Sequence, residues 1–413
     1  MSTDGDQAPV RPTQLPPVAR QLSVRAIMET ILLHGPTSRA MLAKLTGLSR
    51  QTTTQVVLEL EREGWLEVSG KMQGKLGRSA PTYELTAGSA YVLGIRLEGE
   101  IAQIALANIR GDVVGEIAAA TDPRGGSSVV HQIGALYREL TDTLGVPRDR
   151  VKLVVVGSPG VVDPVTGHID IAPSIPHLGD INVVEELRSE IGVPLSIENG
   201  VKLSALGELW QGVARGARNF AYFGIGRGVG MGIVADGKLL RGGRGAAGEI
   251  AYLPLGGNPF DPSGFASGTF ETAANVDALQ RRFEAYGGSA GSSVADILVA
   301  YGTGDTAAVA AIDETARLLA LAIGAVHAVI DADLIVLGGS IGLRSEIVER
   351  VRSLLPRLMR EPPVVEASAL ADRATLVGAL GEALHRLHAE LFGVEAVRRE
   401  LTLSDLGKGR TPR

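Results

Sequence analysis

From Ala90 onward, the chain repeatedly places a run of apolar residues directly before a glycine-rich turn. The segments VKLVVVGSPG, FAYFGIGRGVG and DLIVLGGS are each predicted to be a strand that ends in such a turn. A helix predicted from Val183 to Ile191 and a longer one from Ala307 to Ile330 lie between these strands, and hairpin turns are predicted around Gly99 and Gly111. Strands and helices that alternate in this way favour an α/β fold.

The residues before Ala90 have a different pattern, in which capping residues separate short amphipathic helices. Three helices are predicted: Ser23–His34, a second from a cap at Thr37 or Ser38 through Leu45, and a third from a cap at Ser49 to Gly64. Their inward-facing residues are expected to be Ile27, Ile31, Leu42, Leu45, Val56, Val57 and Leu60. Two strands around Leu66 and Tyr83 enclose a basic, glycine-rich segment. This order predicts a winged helix-turn-helix over residues 19–88.

The third of these helices carries the side chains that read DNA bases in proteins of this kind. Amide, hydroxyl and guanidinium groups suit the edges of bases in the major groove, so Arg50, Gln51, Thr54 and Gln55 are candidate contacts. An ordinary solvated helix face would have a similar composition. In the basic segment, Lys75 and Arg78 are also candidates. Arg78 would either enter a minor groove or, like Lys75, contact phosphates alone.

Charge and composition fit a protein that binds DNA through one local surface. The net charge is -6, yet residues 1–88 carry a net +2, so the remainder carries -8. The chain has no cysteine, which excludes disulfides and thiolate metal sites. It also has no apolar run long enough for a membrane span and no apolar leader segment, which predicts a cytoplasmic protein. Residues 1–18 and 394–413 are expected to be tails.

Four segments of residues 89–393 resemble the ROK family, whose name stands for repressors, open reading frames and kinases. They are VVVGSPGVVDPVTGHIDIAPSIP, IGVPLSIENGVKLSALGEL, GIGRGVGMGIVADGKLLRGGRGAAGEIAYLPLGG and LIVLGGSI. The resemblance extends over Gln21 to Leu391 and is strongest to the regulator branch of the family. It implies a two-lobed, actin-like sugar-kinase fold with a ligand cleft between the lobes, placed after the winged helix-turn-helix.

The motifs that give the family's kinases their chemistry are altered in this sequence. The kinases hold phosphates with an Asp-x-Gly-Gly-Thr loop, whereas the matching residues here are Arg96 to Glu100, with carboxylates at Glu98 and Glu100 that would repel a triphosphate. A second phosphate loop has Arg227 where the kinases carry Thr. Gly200 stands where a Glu-Asn-Asp motif supplies the general base, and glycine has no side chain to accept a proton. The resemblance therefore implies a protein that is not an enzyme.

The family's sugar-binding residues are partly kept. Asn199 matches a residue that binds sugar hydroxyls, Glu249 matches the carboxylate of a Gly-Glu-Ile-Gly-His motif, and Glu271 matches that of a Gly-Cys-x-Glu motif. Two carboxylates and an amide suit a polyol, since neighbouring hydroxyls both donate and accept hydrogen bonds. The alternative is that both carboxylates persist as structural partners within the protein.

The family's structural zinc site is absent from the sequence. The family binds zinc through three cysteines and the histidine of the sugar motif, but Tyr252 replaces that histidine and the cysteine segment reads NPFDPSGFASGT. No metal or other cofactor is therefore expected. Packing of Phe260, Phe265 and Phe270 is predicted to hold this loop instead.

Taken together, the sequence predicts a transcriptional regulator, most simply a repressor, that binds operator DNA and responds to a sugar. One winged helix reads one half-site, so a homodimer or tetramer is expected. Two alternatives remain open at this point. The second domain would serve only for dimerisation or protein docking, or the chain would be an active sugar kinase with an attached DNA-binding domain.

Overall fold

A computed structural model describes residues 17–73, 79–163, 166, 168–170, 174–395 and 401. The described chain divides into two compact units. The first contains the residues up to Ser89 together with the end of the last helix, from His385, and the second contains Ala90–Leu384. Lys75, Arg78 and most of both predicted tails lie outside the described residues. No helix in the described ranges is long and apolar enough to cross a membrane.

The first unit combines three N-terminal helices with a small antiparallel sheet of order β1-β3-β2. Its elements are α1 (Pro17–His34), β1 (Thr37–Ser38), α2 (Arg39–Thr46), α3 (Arg50–Arg62), β2 (Leu66–Gln73) and β3 (Ser79–Leu85). The chain returns to this unit at its end. Phe392 and Val394 are buried there, and the Phe392 ring packs edge-on against Trp65 with 5.5 Å between ring centroids.

Local capping explains where the second and third helices begin and end. Ser38 caps α2, and its hydroxyl accepts a hydrogen bond from the backbone N–H of Met41. Gly47 ends α2 at φ 73°, a conformation that glycine adopts without strain. Ser49 then caps α3 by accepting from Thr52 N at 3.0 Å. The two helices are therefore held by a tight turn, as the capping residues predicted.

Two details of the first unit differ from the sequence-based expectation. The first helix begins at Pro17 rather than Ser23, because proline is tolerated in the first turn of a helix, where no backbone donor is needed. Leu45 was expected to face inward, but its side chain is 47% exposed. The eight-residue α2 buries Leu42 alone, and Leu45 lies in its last turn.

The second unit contains two five-stranded sheets, each with its own hydrophobic core. The first sheet has the order β10-β7-β4-β5-β6. The elements of this first lobe are β4 (Tyr91–Leu97), β5 (Ile101–Asn108), β6 (Val113–Ala120), α4 (Gly126–Leu144), β7 (Val151–Ser158), β8 (Val161–Val162), β9 (Ile169–Asp170), α5 (Val183–Ile191), β10 (Leu195–Asn199) and α6 (Gly200–Gln211).

The second lobe is formed around a sheet of order β13-β12-β11-β14-β15. Its elements are β11 (Phe220–Ile225), β12 (Val229–Ala235), β13 (Lys238–Leu239), α7 (Pro262–Ser267), α8 (Thr269–Ala274), α9 (Val276–Ala285), α10 (Val294–Gly302), α11 (Thr306–Ile330), β14 (Leu334–Gly338), α12 (Gly339–Gly342), α13 (Ser345–Leu358) and β15 (Val364–Ala367). The last helix, α14 (Ala374–Phe392), packs against the first sheet, where a Cβ atom at Gly94 would lie 2.8 Å from Leu380 Cγ, and its residues from His385 belong to the first unit. Mixed sheets flanked by helices confirm the α/β prediction.

The loop that replaces the family's zinc segment is not held by aromatic packing as predicted. Phe270 is fully buried on α8, but the side chains of Phe260 and Phe265 are 92% and 84% exposed. The segment instead forms its own hydrogen bonds, because Phe260 N donates to Asn258 Oδ1 at 3.1 Å and Gly264 N donates to Asp261 O at 2.9 Å. Local turns therefore stabilise the loop and leave two of the three rings in solvent.

Candidate functional sites

The surface of α3 carries the four predicted helix contacts on one side. Residues 50, 51, 54 and 55 fall within about 140° of helix circumference at 100° per residue, and each is exposed or half-buried. Thr53, Val56, Val57 and Leu60 occupy the opposite arc and are buried. Sequence periodicity therefore placed the polar face correctly.

The polar face of α3 is free to bind a partner. Within the part of the chain that the structure describes, Arg50, Gln51, Thr54 and Gln55 make no side-chain hydrogen bond or ion pair. Other charges on these helices form internal ion pairs, since Arg20 pairs with Glu59 on α3 and with Glu63, the residue that caps its C-terminus. The side chains at the start of α3 thus keep their donors and acceptors available, which is what readout of base edges requires.

In the second unit, arginine–carboxylate ion pairs lie on the two loops that were expected to correspond to the kinases' phosphate loops. Arg96 donates to both carboxylate oxygens of Glu98 at 2.8 Å, and Arg227 lies 2.5 Å from Glu100 across the two loops. The sequence alone predicted that Glu98 and Glu100 would be unpaired negative charges, and the structure differs from that expectation. Each carboxylate is neutralised by an arginine, so the loops present paired side chains rather than two unopposed negative charges.

At Gly200, the position expected to correspond to the kinases' general base, there is no functional group, although there is room for a side chain. A Cβ atom at Gly200 would lie 3.6 Å from Thr375 Cγ2 and 3.7 Å from Ser158 O, which is ordinary contact distance. Gly200 is the first residue of α6, directly after Asn199. The backbone would accept a side chain here, yet none is present to remove a proton from a hydroxyl.

Asn199, one of three predicted ligand-binding residues, uses its side chain mainly to cap α6. Its Oδ1 accepts from the backbone N–H groups of Val201 and Lys202 at 3.0 and 3.2 Å, and its Nδ2 donates to Gly160 O at 2.7 Å. One amide proton is left for a ligand. The residue therefore fixes the start of the helix and has limited capacity for further contacts.

Glu249 and Glu271 are the two predicted carboxylates, and the structure brings them close enough to interact. Burial raises the pKa of each carboxyl group, and the charge of Glu271 raises the pKa of Glu249 further. Val229 N donates to Glu271 at 2.8 Å, which ties this carboxylate to the second glycine loop. The Glu249 carboxylate accepts no hydrogen bond from the described residues. A half-buried carboxylate without a donor is a candidate acceptor for a ligand hydroxyl.

Two cations at this site were not predicted from the sequence. Lys202 on α6 is buried, and Arg241 donates to Glu198 at 2.7 Å. Burial lowers the pKa of Lys202, while the charges of Glu198 and Glu249 raise it. The one signal that the sequence offered was a lysine between two apolar residues, Val201 and Leu203, in the first turn of α6.

Tyr252, which was expected to replace the histidine of the family's zinc site, lies on the surface of the second unit. It is partly exposed in a short helical turn, and no group of three or more His, Cys, Asp or Glu side chains among the described residues is arranged to hold a metal ion. His177 pairs with Asp180 at 2.8 Å.

Comparisons with known proteins identify relatives of two kinds. A sequence model described as the ROK family matches residues 92–385. A putative xylose repressor of Caldicellulosiruptor sp. is 27% identical over 63% of this chain, and the match spans 65% of that repressor. The ROK hexokinase structure from Thermus thermophilus is 27% identical, with a TM-score of 0.62 over 72% of this chain and 99% of the hexokinase. The structure of a ROK family transcriptional regulator, a homologue of E. coli MLC, is 24% identical, with a TM-score of 0.70 over 89% of this chain and 96% of the regulator.

Proposed function

The chain belongs to the ROK family, and we propose that it is a DNA-binding transcriptional regulator whose second unit senses a sugar and does not act as a kinase. The observation that carries the proposal is the exposed polar face of α3, whose side chains have no partner in the described residues. The hexokinase fold match covers 72% of the chain and the regulator match covers 89%, which supports a regulator architecture that includes the first unit.

In this proposal, the first unit is a winged helix-turn-helix. The turn at Gly47 and the cap at Ser49 join α2 to a recognition helix, α3, which enters the major groove with its N-terminal residues. The β2–β3 hairpin is the wing. Lys75 and Arg78, which lie outside the described residues, are proposed to contact phosphates or a minor groove.

Arg50→Ala is expected to weaken operator binding by about 10-fold to 100-fold, since a good base contact contributes ~1–3 kcal/mol. Fluorescence anisotropy with operator and scrambled duplexes at several salt concentrations measures the effect. Loss of a base contact lowers affinity for the operator duplex alone. Loss of a phosphate contact lowers affinity for both duplexes and reduces the salt dependence of binding. Arg62→Ala, an exposed arginine in the last turn of the same helix, is the control. Equal operator affinity of Arg50→Ala and the unmodified chain would contradict the assignment.

Regulation by a symmetric oligomer follows from the size of the recognition surface. One α3 helix reads one half-site, so a homodimer or tetramer would present two helices to a palindromic operator. The name of the putative xylose repressor favours repression. A palindromic footprint, with a solution mass of two or four chains, is the expected result.

Sugar binding at Asn199, Glu249 and Glu271 is proposed from the unpartnered carboxylate of Glu249 and the raised pKa of both acids. The second candidate is a domain that docks proteins or forms dimers without binding a small molecule. The capping role of Asn199 and the bond from Val229 to Glu271 favour that candidate, since both side chains already have structural partners. A thermal-shift panel of sugars, sugar phosphates and amino sugars separates the two, because a ligand stabilises the state that binds it.

The proposal includes the absence of kinase activity, which a direct assay tests. The purified chain is expected to consume no ATP in a sugar-dependent manner, because Gly200 provides no base. Gly200→Asp should fold, given the open space beside it, and should also be inactive because ion pairs occupy the two loops. Sugar-dependent ATP consumption by the unmodified chain that Glu249→Ala abolishes would overturn this part of the proposal.

The decisive experiment is recovery of genomic fragments by the purified protein, with and without the sugar panel. A short palindromic site that one sugar releases would support both halves of the proposal. Specific binding that no sugar changes would retain the regulator and favour the docking alternative. No specific fragment at all would refute the proposal.

A further inference from the structure

Lys202 is a buried lysine in the second unit, with only 1% of its surface exposed. It lies on the first turn of α6, next to the Asn199 cap. An ammonium group has three protons to donate, and its single bond in the described residues is to the backbone carbonyl of Gly245. Burying a charged group with so few partners is costly unless nearby charges compensate it. The placement of this lysine therefore calls for a role in its surroundings.

The carbonyl that Lys202 binds belongs to the loop that leads to Glu249. This loop, residues 241–248, is anchored at both ends, since Ala247 N donates to Arg241 O at 3.0 Å and Met231 N donates to Gly248 O at 3.1 Å. Gly248 has φ 91°, and a Cβ there would lie 2.1 Å from Met231 O, so only glycine fits. Lys202 thus forms a hydrogen bond to the middle of this loop, and Glu249 directly follows the loop in the chain.

Close packing of α6 against β12 brings Lys202 beneath this loop. A Cβ atom at Gly232 would lie 2.7 Å from Ala205 Cβ and 3.2 Å from Lys202 Cα. The missing side chain therefore lets strand and helix approach each other. Because β12 also binds the loop through Met231, the strand, the helix and the loop meet around the lysine.

Among the carboxylates near Lys202, Glu249 is the one whose negative charge has no other cation to balance it among the described residues. Glu198 lies nearby, but its carboxylate accepts from Arg241 Nε at 2.7 Å and from Asn199 N at 3.1 Å. Arg241 is 3.9 Å from a second carboxylate, Glu382. The Glu249 carboxylate accepts no hydrogen bond from the described residues, and the charge of the remaining nearby acid, Glu271, repels it. The attraction of Lys202 opposes the burial that raises the pKa of Glu249.

We propose that Lys202 is a positioning residue of the effector site, which fixes the 241–248 loop and places a positive charge near Glu249, the acceptor for a ligand hydroxyl. This inference rests on the proposed sugar-sensing function and extends it. An ionised carboxylate accepts from a hydroxyl and repels a ligand carboxylate or phosphate. The effector group that faces Glu249 is therefore a neutral hydroxyl of a polyol.

Lys202→Met removes the charge at nearly equal length, and Lys202→Arg retains it. In Lys202→Met, the carboxyl carbon of Glu249, followed by NMR, is expected to titrate at higher pH. The affinity of the sugar identified by the thermal-shift panel should fall about 10-fold at neutral pH, which corresponds to ~1.4 kcal/mol. The fall should be smaller at alkaline pH, and Lys202→Arg should recover most of it. Lys152→Met, on an exposed lysine that binds Asp149 O, is the control.

A purely structural role would weaken binding equally at every pH and leave the titration of Glu249 in place, and that outcome would overturn the proposal. If Lys202→Met does not fold, an NMR titration of the unmodified chain tests the proposal instead. The Nζ resonance of Lys202 must shift at the pH where Glu249 titrates, and an independent titration of the two groups would refute the inference. If no sugar binds, the proposed function fails, while the coupled titration still tests the role of Lys202.

Discussion

Phe392→Ala is expected to unfold the first unit at denaturant concentrations that leave the second unit folded. Phe392 comes from the far end of the chain, yet only 5% of its surface is exposed and its ring packs edge-on against Trp65. Truncating a buried phenylalanine costs ~3–5 kcal/mol. A small domain has a free energy of unfolding of only ~5–15 kcal/mol, so the loss approaches the whole margin.

The chain provides a separate fluorescent reporter for each unit. It contains two tryptophans, Trp65 in the first unit and Trp210 on α6 in the second. In a Trp210→Phe background, the Trp65 transition should move to lower denaturant when Phe392 is replaced. In a Trp65→Phe background, the Trp210 transition should stay in place. Operator affinity should fall with the Trp65 transition, because α3, the proposed recognition helix, belongs to the same unit.

Leu391→Ala is the matched control for this prediction. Leu391 is the preceding residue of α14 and is 36% exposed, so its removal should have a much smaller effect. An unchanged Trp65 transition in Phe392→Ala would show that the C-terminal segment does not stabilise the first unit. Equal losses in both variants would instead indicate a general effect on the end of α14.

Local patterns predicted much of the fold because the forces that set them act over a few residues. Ser49 caps α3 as expected, and the 3.6-residue period placed Arg50 and Gln55 on the exposed face. The same rules failed for Leu45 and for Phe260, where an apolar side chain was assigned to the core on its chemistry alone. Apolar residues often remain exposed where no neighbouring element covers them, and the sequence does not give that information.

Contacts between distant parts of the chain account for most of what could not be predicted. Nothing around Phe392 indicates that it packs against Trp65, more than three hundred residues earlier. The pair of Glu100 and Arg227 likewise depends on two turns from different sheets meeting. Lys202 was missed because a lysine is rarely buried, and composition gives no hint of the Gly245 carbonyl that accepts its hydrogen bond.

Glu249→Gln is expected to reduce sugar affinity by about 10-fold to 100-fold while making the unliganded second unit more stable at neutral pH. The loss of affinity follows because a hydrogen bond to a charged group contributes ~1.5–3 kcal/mol. The gain in stability follows from the pKa of Glu249, which the folded protein raises despite the attraction of Lys202. A neutral amide avoids the burial of that charge.

The dependence of this stability gain on pH has a definite sign. A raised pKa means that the folded state binds the proton more tightly than the unfolded state, so stability falls as pH rises from the unfolded pKa through the folded one. Below the unfolded pKa both states are protonated and the carboxyl group costs nothing. The difference in melting temperature between Glu249→Gln and the unmodified chain should therefore vanish in acid and grow to a plateau above the raised pKa.

Scanning calorimetry across this range, together with sugar titrations, distinguishes the two roles considered for Glu249. Glu361→Gln, on an exposed carboxylate of the second unit, is the control and should alter neither quantity. A carboxylate whose role is ligand binding lowers the stability of the unliganded protein, because its buried charge has no hydrogen-bond donor until the ligand binds. A structural carboxylate behaves in the opposite way, and its replacement lowers the melting temperature at neutral pH. A destabilised Glu249→Gln with unchanged sugar response would therefore assign Glu249 to the scaffold and remove it from the effector site.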